Sequence, residues 1–169
     1  MQKISTFLWF NDQAEEAAKF YVSVFKKNSK ILKMSRYGDA GPGPKGSVMT
    51  VAFRLAGVEL MALNGGPHFK FSPAISLVVN CTTQKEIDTF WKKLSADAGA
   101  EQCGWLVDKF GLSWQIVPTF IGEVVGSKDA EKANRVMAAV MPMKKLDLAK
   151  LKAAAAGGAR KRKGKRVAG

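Results

Sequence analysis

Apolar and polar positions follow two rhythms along this chain, and the rhythm switches at regular places. Ile4 to Phe10 is a short apolar run rich in β-forming residues and predicts a strand. Behind it Ala14, Ala17, Ala18, Tyr21 and Phe25 recur at helical spacing, so one face of a helix is apolar. Asp12-Gln-Ala-Glu15 has the spacing of a capping box, with an acid in the cap position. Lys30 to Tyr37 alternates loosely and reads as a strand. Residues 38–47, GDAGPGPKGS, form a Gly/Pro-rich loop, and Val48–Leu55 and Val58–Leu63 read as a hairpin turning at Ala56-Gly57.

The pattern then restarts. Ile75 to Asn80 is a strand, Thr83-Gln-Lys-Glu86 a second capping box, and Ile87, Phe90, Trp91 and Leu94 a second helical stripe. Residues 100–108 hold one or two short strands, and Leu112 to Val117 a last one, stopped by Pro118. An internal repeat is visible at an offset of 70, where Phe20-Tyr21 falls on Phe90-Trp91 and Val24 on Leu94. At an offset of 54, Gly57 falls on Gly111 and Leu60 on Trp114, so the second copy is the shorter. Each copy reads strand–helix–strand–strand–strand, with one strand of the second copy undecided. Such repeats bury a shared core because neither half covers its own apolar face. A third amphipathic helix is predicted over 127–141, capped by Ser127, with Val136, Met137, Val140 and Met141 inward. A short Ala/Lys/Leu helix is predicted over Asp147–Ala156.

Charge changes the picture at one end only. The chain has 169 residues and a net charge of +13. Lys144 to Gly169 holds ten Lys/Arg and one acid, a net +9, which leaves +4 for the rest. That split argues against a nucleic-acid-binding domain spanning the whole chain. From Gly157 the sequence is almost entirely Gly, Ala, Lys and Arg, which builds no core and predicts disorder. The run Arg160 to Arg166 has no aromatic residue to stack on bases, so contact there with nucleic acid or another polyanion would rest on charge. Cys81 and Cys103 are too few for a disulfide framework and predict reduced thiols in a cytoplasmic protein. No apolar stretch is long enough to span a bilayer, and the opening apolar run is too short for a signal peptide.

Three strings carry a family resemblance: FLWFNDQAEEAAKFYVSVF, GSVMTVAFRLAGVELMALNGGPHFKF, and ISLVVNCTTQKEIDTFWKKL followed by CGWLVDKFGLSWQIVP. The chain resembles the PhnB-like branch of the vicinal oxygen chelate superfamily, the glyoxalase/bleomycin-resistance fold, over roughly residues 3–150. Members of this branch are often described as 3-demethylubiquinone-9 3-methyltransferases. The resemblance implies an α+β fold in which two βαβββ modules form a curled mixed sheet around a cleft, usually in a homodimer. The expected organisation is a first module with linker at 3–72, a second at 73–122, a C-terminal helical extension at 123–156 and a disordered basic tail at 157–169.

Metal-dependent members of the superfamily place four ligands in the cleft. Carried onto this chain, their positions fall on Thr6, Met61, Ser76 and Gln115. Only Gln115 is a plausible donor, and one neutral amide does not hold a divalent ion, so no metal and no cofactor are predicted. A slip of one or two residues brings in Asn64 or Glu59. The string Gly41-Pro-Gly43-Pro-Lys-Gly46 matches GxGxxG, but a strand follows it where a dinucleotide site needs a helix, so the match reads as accidental. The string Leu63-Asn-Gly-Gly-Pro-His68-Phe-Lys-Phe71 places the sole histidine and two aromatics just after a sharp turn. Asn64 and His68 are candidate polar anchors, and Phe69, Phe71 and Trp105 candidate walls, for a small, partly apolar molecule. His68 is also the one candidate general base. Asp108 and Glu123 read as surface acids. The leading expectation is a homodimeric small-molecule-binding protein. The alternatives are a metal-dependent lyase, isomerase or dioxygenase of the same superfamily, and a dimeric body with a nucleic-acid-binding tail. A membrane partner is not expected.

Overall fold

The computed structural model describes residues 3–157, so the expected disorder of the basic tail falls, from Gly158 on, outside the described residues. The chain divides into two compact units. Among the described residues, the first comprises 3–76 with 107–113, and the second 77–106 with 114–157.

The first unit is built on β1 (Thr6–Phe10), α1 (Ala14–Phe25), β2 (Lys30–Arg36), β3 (Val48–Leu55) and β4 (Val58–Asn64). The strands lie in the order β1-β4-β3-β2, with β1 parallel to β4 and the other pairs antiparallel. The two central hydrogen-bonded strands come from the expected hairpin, whose turn places Ala56 and Gly57 at φ 46° and 93°. α1 covers one face of the sheet. Its buried positions Ala14, Ala17 and Ala18 carry the smallest side chains that still favour helix, so the helix lies close against Val51, Phe53, Leu60 and Ala62. Residues 107–113 close this core: Phe110 packs edge-on against Phe10, Phe20 and Tyr21.

Asp108 is where the sequence reading needs correction. It is 3% exposed, not a surface acid. Its Oδ2 accepts the Tyr21 hydroxyl at 2.8 Å, and its Oδ1 accepts the amides of Phe110 and Leu112. A carboxylate can be buried there because these donors replace water. The neighbouring Lys109 reaches Glu16 at 2.6 Å and lies over the rings of Phe20 and Phe110.

The second unit holds β5 (Ser76–Cys81), α2 (Gln84–Leu94), β6 (Trp105–Val107) and β7 (Ser113–Pro118), with strand order β5-β7-β6. Its second copy of the repeat is one strand short, and the undecided strand survives only as an isolated bridge between Gln102 and Trp105. The Thr83–Glu86 capping box is present in full. Three further helices follow: α3 (Thr119–Val125), α4 (Ala130–Val140) and α5 (Leu148–Ala155). They enclose a core of Val124, Val136, Val140, Leu146, Leu151 and Ala155. Asp129, not Ser127, caps α4, and Met137 and Met141 are 40% and 59% exposed rather than inward. The stripe of α4 that faces the core runs through Ala133, Val136 and Val140, and Met137 and Met141 lie one position, about 100°, round the helix from it. Neither sheet is closed into a barrel. Among the described residues, no helix is long and apolar enough to cross a membrane.

Candidate functional site

Asn64, the last residue of β4, organises one end of the first sheet. Strand alternation puts it on the same face as Leu60 and Ala62, toward α1. There its Oδ1 accepts the Ala14 amide at 2.7 Å, and its Nδ2 donates to the Val48 carbonyl at 3.0 Å. Its carbonyl accepts the buried Tyr37 hydroxyl. The helix, the hairpin and the loop after β2 are thus tied to one amide. α1 has no side-chain cap of its own: its cap position is Gln13, whose side chain makes no capping bond, and Glu15 pairs with Lys19 at 2.5 Å. The capping box expected at Asp12–Glu15 is therefore absent, and a residue fifty positions away satisfies the first-turn amide instead.

Above Asn64 the chain makes the Gly-Gly-Pro-His turn. The amides of Gly65 and Gly66 continue the β1 pairing by donating to the carbonyls of Phe10 and Asn11. The Trp9 indole donates to the Gly66 carbonyl at 2.9 Å and lies so close beneath Gly65 that a β-carbon there would overlap the ring. Gly66 has φ +87°, so the turn needs glycine twice, once for space and once for conformation. Across from this turn, residues 38–47 arch over Tyr37. Gly41 and Gly43 press against its ring, the Tyr37 amide donates to the Ser47 carbonyl, and the Gly46 amide donates back to Tyr37. The Gly/Pro-rich loop is a tethered cover wrapped on one aromatic ring. β3 follows it, so the loop presents no helix N-terminus.

Between these walls lies an open cleft of about 600 Å³. Asn11, Asp12 and Glu15 line it from the β1–α1 turn, residues 42–44 with Tyr37, Ser47 and Val48 from the loop side, and residues 64–68 from the turn after β4. Prolines 42, 44 and 67 and Val48 give it apolar surface, and Asp12 and His68 stand exposed at its rim. Lys19 holds the Glu15 carboxyl below the usual carboxylate range by its hydrogen bond, and the field of Arg36 helps. The polar side chains that face a solute here include the Asn11 amide, the Asp12 carboxylate and the His68 imidazole, so the cleft offers both donors and acceptors.

Two of the residues expected at a ligand site, Asn64 and His68, line this cleft. Asn64 does so as a structural latch, with both ends of its amide engaged. Phe69 and Phe71 pack edge-on against Trp9 and Phe10 instead, with ring centroids 5.0 Å and 5.2 Å apart. Thr6 and Met61 stand on the neighbouring strands β1 and β4, but the register pairs Thr6 with Leu60 and Phe7 with Met61. By alternation Thr6 and Met61 point to opposite faces. Ser76 opens β5, Gln115 lies on β7 and Trp105 opens β6, all in the second sheet and half-buried. Two hydroxyls, a thioether and a neutral amide do not make a donor set for a divalent ion, so these four positions do not fit the metal site that the resemblance would bring. Among the described residues no group of three or more His, Cys, Asp or Glu is placed to hold one. The sequence reading did not single out Asn11, Asp12 or Tyr37 for the cleft; the only signal available was the Gly/Pro-rich loop beside Tyr37.

The family model described as 3-demethylubiquinone-9 3-methyltransferase matches residues 2–117. A solved PhnB protein from Bacillus cereus, described by the same activity, is 43% identical over 69% of this chain and 99% of its own, with a TM-score of 0.61. A Pseudomonas aeruginosa protein shares the fold at 22% identity, over 70% of this chain and 98% of its own, with a TM-score of 0.56. Among curated proteins, none matches the chain.

Proposed function

The chain belongs to the PhnB-like 3-demethylubiquinone-9 3-methyltransferase family, and from that premise we propose that its first unit is a receptor for a small, partly apolar molecule. The observation that carries this reading is the 600 Å³ cleft itself, a volume in the usual range for small-ligand sites. Its floor is fixed by the Asn64 and Tyr37 hydrogen bonds, so the site is formed before a ligand arrives, and little ordering is left to oppose binding. Apolar contact comes from the prolines and Val48. Asp12 and His68 orient the ligand's polar end, and the best match is a molecule offering a hydroxyl or an amine between them.

The family's description names a methyltransferase. The loop that matches a nucleotide-binding pattern contributes little to cofactor binding here, because Pro42 and Pro44 carry no amide and the Gly46 amide is engaged by Tyr37. The residues support binding, with His68 as an orienting group, more directly than they support methyl transfer. With this reading go a second copy of the chain as partner and the cytoplasm as location. Phe7 and Val58, each 54% exposed, support the former, and the free thiols Cys81 and Cys103 the latter. Light scattering in solution checks the dimer.

A thermal-shift screen of small, ring-bearing alcohols and amines tests the cleft. Stabilising compounds are expected, and their effect should shrink at least tenfold in apparent affinity in His68→Ala or Asp12→Asn. Compounds that stabilise both variants as well as the parent would place the site elsewhere.

A further inference from the structure

Residues 17–38 carry six Lys/Arg and no Asp/Glu. Two of the six are engaged locally: Lys19 pairs with Glu15, and the Arg36 guanidinium donates to the Gly46 carbonyl. The other four, Lys26, Lys27, Lys30 and Lys33, are exposed and take part in no ion pair among the described residues. They gather where α1 ends and β2 begins, and β2 is the outer strand of its sheet, paired with β3 on one side only.

A spacing of three would put Lys30 and Lys33 on opposite faces of a regular strand. The register shift between Ile31 and Lys33 prevents that. Lys30 lies opposite Arg54 and Lys33 opposite Ala52, and both of those stand on the face of β3 turned away from the buried Val51 and Phe53. Leu32 and Met34, on either side of Lys33 in the chain, are exposed apolar side chains. Glu59, the acid of β4, is held by Arg54 at 2.5 Å. Lys26 is strained as well. Its φ is 56° and its ψ −74°, and the Lys27 amide donates to the Phe25 carbonyl at 2.7 Å, a tight three-residue turn that glycine adopts far more readily. Strain of this kind gathers at places that clamp a ligand.

We propose that this edge docks an acidic, extended peptide segment of a partner protein. Lys26, Lys27, Lys30 and Lys33 pair with its carboxylates, and Leu32 and Met34 receive an apolar side chain set among them. Charge complementarity carries the proposal, and the neighbouring features choose the partner. Register shifts at Ile31/Lys33 and Ser35/Arg36 leave only Lys33 to Ser35 in unbroken pairing, too short a template for adding a strand, so side chains and not backbone make the contacts. A duplex presents phosphates at its surface, which leaves Leu32 and Met34 without a counterpart. At 37% and 36% exposed, the same two side chains lie too flat to enter a bilayer.

Fluorescence anisotropy with the full chain and a labelled peptide of three Glu-Glu-Leu-Glu repeats tests this. Saturable binding is expected. A full-length variant in which Lys26, Lys27, Lys30 and Lys33 are each replaced by Gln should bind at least tenfold more weakly. A peptide with Ser in place of each Leu should bind the parent at least threefold more weakly. Lys26→Gly should melt at a higher temperature than the parent and yet bind the peptide at least twofold more weakly, an opposition that a purely structural lysine would not show. A four-lysine variant that binds like the parent would place the contact on other cations of the chain and overturn the proposal, as would the lack of any saturable binding. So would a labelled DNA duplex or an anionic lipid vesicle bound more tightly than the peptide through the same four lysines, which would assign the edge to nucleic acid or to a membrane surface.

Discussion

Gly65 has no room for a side chain, because the Trp9 indole fills the space a β-carbon would occupy. Gly65→Ala should therefore push the ring and the cleft wall apart and cost about 1–3 kcal/mol, read as a lower melting temperature. The parent's tryptophan fluorescence should change with it. Two other residues carry a pH signature. Burial pushes the Cys81 thiol up to about 12, with the Glu86 charge adding to it. Burial and Asp108 push the Tyr21 phenol up as well. In both cases the folded state favours the protonated form. Their contribution to stability is complete below the ordinary thiol value of 9.0 and is lost as pH rises from there toward about 12. The urea midpoint should be lower at about pH 10.5 than at about pH 8, and Cys81→Ala with Tyr21→Phe should flatten the difference. Residue roles were the least legible part of the sequence. Asn64 reads as a ligand anchor; it lines the cleft and is in addition a structural latch, while Asp108 reads as a surface acid and is buried. In each case the deciding partner lies far along the chain, Ala14 for one and Tyr21 for the other, and no local pattern encodes it.

Elements were far more legible, because strands and helices are set by periods that a short window shows. The two helices that follow a first strand make the contrast sharp. Both carry a plausible capping box, but only Thr83–Glu86 forms one. Thr83→Ala should cost about 1 kcal/mol of stability, whereas Asp12→Ala should change it by less than about 0.5 kcal/mol. Chemical denaturation of the two variants side by side checks this. The reason is positional. Asp12 stands one residue too early, since the helix begins at Ala14 with Gln13 as its cap. The same kind of slip separates Ser127 from the true cap Asp129, and Thr6 from the strand position that faces with Met61. Spacing counted through a turn does not preserve the parity of a strand, so counts of this kind identify the strand but not the face.

At the scale of the whole chain, the repeat and the charge split are both visible from composition and offset alone, and the repeat agrees with the family that the three strings point to. What stayed hidden was the cleft, because its walls come from three separate stretches: residues 11–15, 37–48 and 64–68. Residues 38–47 read as a Gly/Pro-rich loop, but their anchoring on Tyr37 depends on the close approach of Gly41 and Gly43, which only the folded chain reveals. The helical extension showed its two longer helices in sequence, while α3 and the shared core did not announce themselves.

The central claim is that the first unit binds a small molecule in this cleft. Amide chemical-shift mapping of the full chain with a library of small ring-bearing alcohols and amines tests it most directly. Saturable shifts concentrated on Asp12, Gly43, Ser47, Gly65, Gly66 and His68 are expected. Saturable binding that moves none of these amides, or a library without a single saturable binder, would contradict it.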